Sequence, residues 1–245
     1  MGSWIQQRAA LVGGYDDPAG LVIVGAQSST FFTTFSGTED PLSEGGAWIH
    51  PATDWKDFKV AGGFAQASSY ITDTPVPLFD DNYRFLDPGA FTAPSDNYRI
   101  TAVVRIVGTP DIAEIEILAR MQSADIHTLT GYEFLINTGG TVELVRWNGG
   151  LGNFFELTAE TSNVIGAWTG NGDVIRCTVR GTNPVICTLE HAPASTPTIF
   201  TTIFSYNDTD ATRKTAGQPG IGSFIHPGST ALGNIGWDSF LVESV

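Results

Sequence analysis

The stretch Tyr98-Arg-Ile-Thr-Ala-Val-Val-Arg-Ile106 decides the fold class. Tyr98, Ile100, Ala102, Val104 and Ile106 share one side of an extended chain, and Arg99, Thr101 and Arg105 share the other. A repeat of two is the signature of a half-buried antiparallel strand, not of a helix. The next segment, Ile112 to Met121, repeats the pattern: Ile115, Ile117, Ala119 and Met121 oppose Glu114, Glu116 and Leu118. Toward the C-terminus, strands are predicted over Tyr132–Asn137, Val142–Trp147, Asn153–Leu157, Val174–Arg180, Val185–Glu190, Thr198–Phe204, Ile221–Ile225 and Ile235–Val242. Asn137-Thr-Gly-Gly140, Asn148-Gly-Gly-Leu-Gly152 and Gly170-Asn-Gly-Asp173 punctuate them, with glycines that turn the chain at positive φ. Toward the N-terminus lie a loop-rich section, 36–94, with short strands at Phe58–Val60 and Gly63–Ala67, and an arm, 1–30, with one strand at Gly20–Gly25. Closely spaced strands without a helical pattern or an internal repeat predict an all-β fold, a two-sheet antiparallel β-sandwich over residues 31–245.

Composition narrows the function. The 245 residues carry a net charge of −14, and Lys56, Lys59 and Lys214 are the only lysines. Such a surface does not neutralise phosphates, so nucleic acid is excluded as a partner. No apolar run approaches the roughly 20 residues that span a bilayer, so membrane insertion is not expected. The opening Met1-Gly-Ser-Trp-Ile-Gln-Gln-Arg8 lacks a basic segment followed by an apolar one, and no secretory leader is expected there. Cys177 and Cys187 flank the turn Gly181-Thr-Asn-Pro184. Pairing centred on Thr182 would set them opposite each other, either bridged or as two buried thiols.

Several segments, in order, resemble concanavalin A-like lectin and glucanase domains of the jelly-roll kind, particularly the laminin-G-like forms of phage and bacterial surface proteins. They are Phe35-Ser-Gly-Thr-Glu-Asp-Pro-Leu-Ser-Glu-Gly-Gly-Ala-Trp48, Ala119-Arg120, Thr130-Gly-Tyr132, Val142-Glu-Leu-Val-Arg-Trp147, Gly172-Asp-Val-Ile-Arg176, Gly181, Gly217-Gln-Pro-Gly-Ile221 and Trp237-Asp-Ser-Phe240. The resemblance implies a concanavalin A-like sandwich and leaves the activity open, because this fold hosts lectins, hydrolases, lyases and structural modules.

Three site expectations follow from it. Glucanases of this kind set carboxylates at alternate positions of one strand, where two of them flank a glycosidic bond. Glu114-Ile-Glu116 resembles part of that pattern, but Leu118 stands where a third carboxylate is wanted, so the pair is a weak catalytic candidate. Second, the resemblance implies one structural calcium ion where the first and last strands meet, with Asp40 and Asp238 as its carboxylates. Third, glycan binding would use Trp147, Tyr132 and Arg120 on the middle strands, through ring stacking and hydrogen bonds to hydroxyls. Tyr132 shares parity with Phe134 and Ile136, which also suits a core position. The expected function is a non-catalytic glycan-binding or structural surface module, such as a phage virion protein made in the cytoplasm before assembly. Its partners would be a glycan or other subunits, with residues 1–30 available for homo-oligomer contacts. The alternatives are a polysaccharide-degrading enzyme of the same fold and a ligand-free assembly subunit.

Overall fold

The computed structural model describes residues 29–50, 55–72, 79–92, 96–122, 128–150, 152–161 and 171–245. The expected strand Gly20–Gly25, and the arm up to residue 28, lie outside the described residues. Among the described residues, fifteen strands form two antiparallel sheets. In chain order they are β1 (Thr30–Thr33), β2 (Trp48–Ile49), β3 (Phe58–Ala61), β4 (Phe64–Ala67), β5 (Asn82–Leu86), β6 (Tyr98–Ile106), β7 (Glu114–Gln122), β8 (Thr130–Asn137), β9 (Val142–Trp147), β10 (Phe154–Glu156), β11 (Val174–Arg180), β12 (Val185–Ala192), β13 (Thr201–Asp208), β14 (Gln218–Phe224) and β15 (Ile235–Ser244). A 3-10 turn, Glu44–Gly46, precedes β2. Among the described residues no helix is long and apolar enough to cross a membrane.

The back sheet runs β13-β12-β11-β6-β15-β4-β3, with β1 also paired to β15, and the front sheet runs β10-β9-β8-β7-β14-β5-β2. The alternation in β6 does what its spacing predicts: Tyr98, Ile100, Ala102 and Val104 are buried, while the residues between them are half-buried. They pack on the inner side of the front sheet, against Ile115, Ile117, Ala119, Phe134, Ile136, Leu144 and Ile221. Burying each such side chain is worth roughly 1.5–3 kcal/mol before the entropy of ordering is counted.

The front sheet is also covered on its outer side. There Trp55, Tyr83, Phe85, Leu118, Met121, Leu129, Val145 and Trp147 form a second cluster. Strand β5 is therefore buried at every position. A strand buried on both faces loses the apolar–polar alternation that marks a half-exposed one. This is why Asn82-Tyr-Arg-Phe-Leu86 is hidden within a section that otherwise reads as loops.

The cysteine hairpin closes one residue later than expected. Its register centres on Asn183, so Cys177 faces Leu189 and Cys187 faces Val179. A one-residue change at the centre moves every cross-strand partner by two, so the cysteines are diagonal neighbours on one face instead of opposite each other. Both are free, buried thiols, and burial raises the pKa of each.

Candidate functional site

Residues that alternate along the front strands bring their carboxylates to the outer face of that sheet. Glu114 and Glu116 come from β7, Glu133 from β8 and Glu143 from β9, and Asp81 directly precedes β5. With Glu156 and Glu160 they line a cleft of about 210 Å³, whose other walls are Phe79, Leu135, Val145, Trp147, Phe154 and Phe224. Seven acidic side chains thus face one cleft, and among the described residues its lining contains no Lys, Arg or His.

The floor depends on a glycine. Strand β14 lies between β5 and β7, and Gly222 pairs with Tyr83 on one side and Glu116 on the other. A Cβ at Gly222 would stand 2.1 Å from a Glu116 carboxylate oxygen and 2.7 Å from the Tyr83 ring. Without it, side chains from β5 and β7 meet across the intervening strand. Carboxylate oxygens of Asp81, Glu116 and Glu133 consequently lie within 4.8 Å of one another, all three residues being buried. Glu133 is held in place: Trp147 Nε1 donates to its Oε2 at 2.6 Å, and the Tyr83 hydroxyl donates to the same oxygen. Trp55 stacks on Tyr83 with ring centroids 4.6 Å apart. By contrast, both oxygens of Glu116 and Oδ1 of Asp81 are buried without a hydrogen-bond partner.

Crowding like charges away from water favours their neutral forms. Burial, then Glu133, Glu160 and Glu143, pushes Glu114 up to about 8. Burial and the neighbouring Glu156, Glu133 and Glu160 push Glu143 up to about 7. Asp81, Glu116 and Glu133 are raised as well, in each case chiefly by burial. An acid whose folded pKa is raised binds more protons folded than unfolded, so its contribution is fully present below the unfolded value and lost as pH rises through the folded one. In monovalent-salt buffer the melting temperature should therefore fall as pH rises from about 4.5 to about 8. The lowered carboxylates, Asp111, Glu190 and Asp210, act below this window, where they lose their contribution on protonation. Thermal melts at half-unit pH steps test the sign, and a melting temperature that climbs across the window would reject it.

The sequence-predicted residues fare differently. Glu114, Glu116 and Trp147 all line the cleft. Trp147 is 2% exposed and presents its indole N–H to Glu133. Tyr132 lies on the inner face with Phe134 and Ile136, its hydroxyl donating to Asp208 Oδ2 at 2.7 Å and accepting from the Lys214 backbone N–H at 3.0 Å. Arg120 is fully buried, away from the cleft. Its guanidinium donates to the Asp96 carbonyl at 2.8 and 3.1 Å and to the Lys214 carbonyl at 2.9 Å. A β-bulge between Ala119 and Gln122 shifts the register of β7 at this position, so the place of Arg120 on a middle strand does not bring it to the cleft.

Nor do Asp40 and Asp238 meet. Glu39 bridges to Val60 on β3, and β4 lies between β3 and β15, the strand of Asp238. That is three strand spacings, about 14 Å, too far for one ion. The acidic residues that do converge, Asp81 and Glu133, were absent from the sequence-based candidates. The signal available for them was one carboxylate at the outward parity of each strand, Asp81 with Tyr83 and Glu133 with Leu135, together with the alternate glycines Gly220 and Gly222.

No protein-family model matches the chain, and no curated protein matches it. Among solved structures it is similar to a carbohydrate-binding module from Bacillus subtilis, with 10% identity and a TM-score of 0.46 over 83% of this chain and 96% of that one. It is also similar to a module of the evolved Dit protein of Lactobacillus casei BL23 phage J-1, with 9% identity and a TM-score of 0.48 over 86% and 93% of the two chains. A third is a β-porphyranase from the human gut bacterium Bacteroides plebeius, with 13% identity and a TM-score of 0.43 over 89% and 93%. Similarities this distant transfer no function.

Proposed function

We propose that this chain is a non-catalytic glycan-binding module that takes a neutral or amino-bearing sugar unit in the acidic cleft of the front sheet. The cleft itself supports the reading: about 210 Å³, room for roughly one sugar ring, with aromatic walls and carboxylate acceptors facing inward. Rings stack on the apolar face of a sugar, while carboxylates accept from its hydroxyls. Seven acidic side chains, with no basic residue among the described lining, offer no cationic partner to a uronate or sulfate group. The placement of the module on a virion or other surface assembly is the wider part of this reading and rests on the sequence resemblance. Detection of the chain in purified particles would test it.

Phe79 supplies the most accessible aromatic wall of the cleft. It is 36% exposed and sits 5.2 Å, centroid to centroid, from Phe154. Phe79→Ala should weaken binding of a glycan identified on a neutral and amino-sugar array by about tenfold, consistent with losing one stacking ring. Its unfolding midpoint should change little. Calorimetric titration of both forms reads the difference, and unchanged affinity would remove the cleft from the binding site.

A second reading, glycoside hydrolysis, is favoured by one observation. Glu133 on β8 supplies, from a neighbouring strand, the further carboxylate that Leu118 denies to β7, and its oxygen lies within 4.8 Å of one from Glu116. Retaining glycosidases hold their carboxyl groups about 5–5.5 Å apart. Release of reducing ends from a polysaccharide panel, lost in Glu116→Gln, would select this reading over the binding module.

A further inference from the structure

The buried floor of the cleft has the composition and spacing of a hard-cation site. Three oxygens no more than 4.8 Å apart always have a common point within about 2.8 Å of each. Calcium–oxygen contacts of about 2.3–2.6 Å need only a few tenths of an ångström of closure from there. The cluster also shows an uncompensated demand. Both Glu116 oxygens and Asp81 Oδ1 are buried without a hydrogen-bond partner, and among the described residues the lining holds no Lys, Arg or His to answer them. A buried carboxylate without a partner is costly, and a metal ion is one of the few groups that compensates several at once.

From this geometry we infer that Asp81, Glu116 and Glu133 together bind one calcium ion at the bottom of the cleft. The donor set is oxygen alone, without His or Cys, which selects a hard cation over zinc or copper. Calcium fits better than magnesium because it accepts irregular, oxygen-rich shells, whereas magnesium demands near-ideal octahedra at about 2.0–2.1 Å. Trp147 and Tyr83, both donating to Glu133 Oε2, orient that ligand from behind, as outer-shell donors commonly do in metal sites. The open side of the ion faces the cleft, where water or a bound hydroxyl completes the shell. The site stands apart from the glycan reading, because the ion binds with no sugar present.

The test uses the full chain, stripped with a chelator and dialysed. Calcium chloride titrated in a calorimeter should bind with one-to-one stoichiometry and raise the melting temperature, since an ion that binds the folded state alone stabilises it by mass action. Terbium chloride should give luminescence excited through Trp147, which touches the ligand set directly. Glu116→Gln and Asp81→Asn should each weaken calcium at least tenfold. In chelator both should melt no lower than the wild-type protein, because each removes one of the crowded carboxylates. Asp238→Asn should leave calcium binding unchanged. The proposal fails if calcium produces neither heat nor a melting shift. It also fails if Glu116→Gln and Asp81→Asn bind as the wild type does, or if Asp238→Asn is the variant that abolishes binding. A glycan bound equally well with and without calcium would leave the ion in place and separate the two functions.

Discussion

Arg120→Ala is expected to lower the stability of the fold by about 3–5 kcal/mol, enough to unfold much of a marginally stable domain. Arg120 is fully buried at a φ of 53°, within the bulge where β7 changes register against β8. Its guanidinium reaches the carbonyls of Asp96 and Lys214, tying the segment before β6 to the segment before β14. Its own backbone N–H donates to the Tyr98 hydroxyl. Truncation leaves two carbonyls of half-buried residues without this donor, and each unsatisfied group costs up to about 1–3 kcal/mol in addition to the lost packing of the buried side chain. Arg120→Lys should recover only part of the loss, because a single ammonium cannot reproduce the planar fork. Urea unfolding reads the effect as a fall in midpoint at constant slope. If Arg120 instead contacted sugar, as its place in the sequence suggested, the alanine variant would lose affinity and keep its midpoint.

Asp208→Ala should cost a similar amount, again about 3–5 kcal/mol, by leaving a charge uncompensated. Asp208 is 1% exposed and takes both contacts from Arg146 Nη1 at 2.9 Å, along with the Tyr132 hydroxyl. Without it, the buried Arg146 guanidinium keeps only Asp210, 3.5 Å away and half exposed, and the face of Phe155 at 5.7 Å. Such an exposed partner is screened and contributes little. Replacing Arg146 by Met in the same chain should restore most of the stability, because the penalty belongs to the unpaired charge and not to the missing contact. A double-mutant cycle in urea decides this: additive losses would show that Asp208 and Arg146 act independently.

Arg120 was expected among the sugar contacts and lies elsewhere, whereas Tyr132 takes the core position that its parity with Phe134 and Ile136 suits, and the difference is instructive. Alternation is a local property of the chain, set by side chains pointing to opposite faces at successive positions. It was sufficient to mark β6, β9 and β11 end to end, the inner face of the sandwich, and the shared face of Glu114 and Glu116. It fails where a bulge inserts a residue, as at Arg120, and it left the fully buried β5 unmarked. The same local information set the cysteine hairpin's strands and missed its centre by one residue.

What the sequence by itself determined is therefore the all-β class, the positions of most described strands to within a few residues, and the acidic, lysine-poor character of the surface. Tertiary structure alone decided which carboxylates meet. Asp81, Glu116 and Glu133 are brought together by strand order, with β14 between β5 and β7, β8 on the other side of β7, and a glycine at the crossing point. Strand order keeps Asp40 and Asp238 apart by interposing β3 and β4. Pairing between distant segments is settled by the packing of two whole sheets, a sum over many weak contacts, and no window of neighbouring residues contains it.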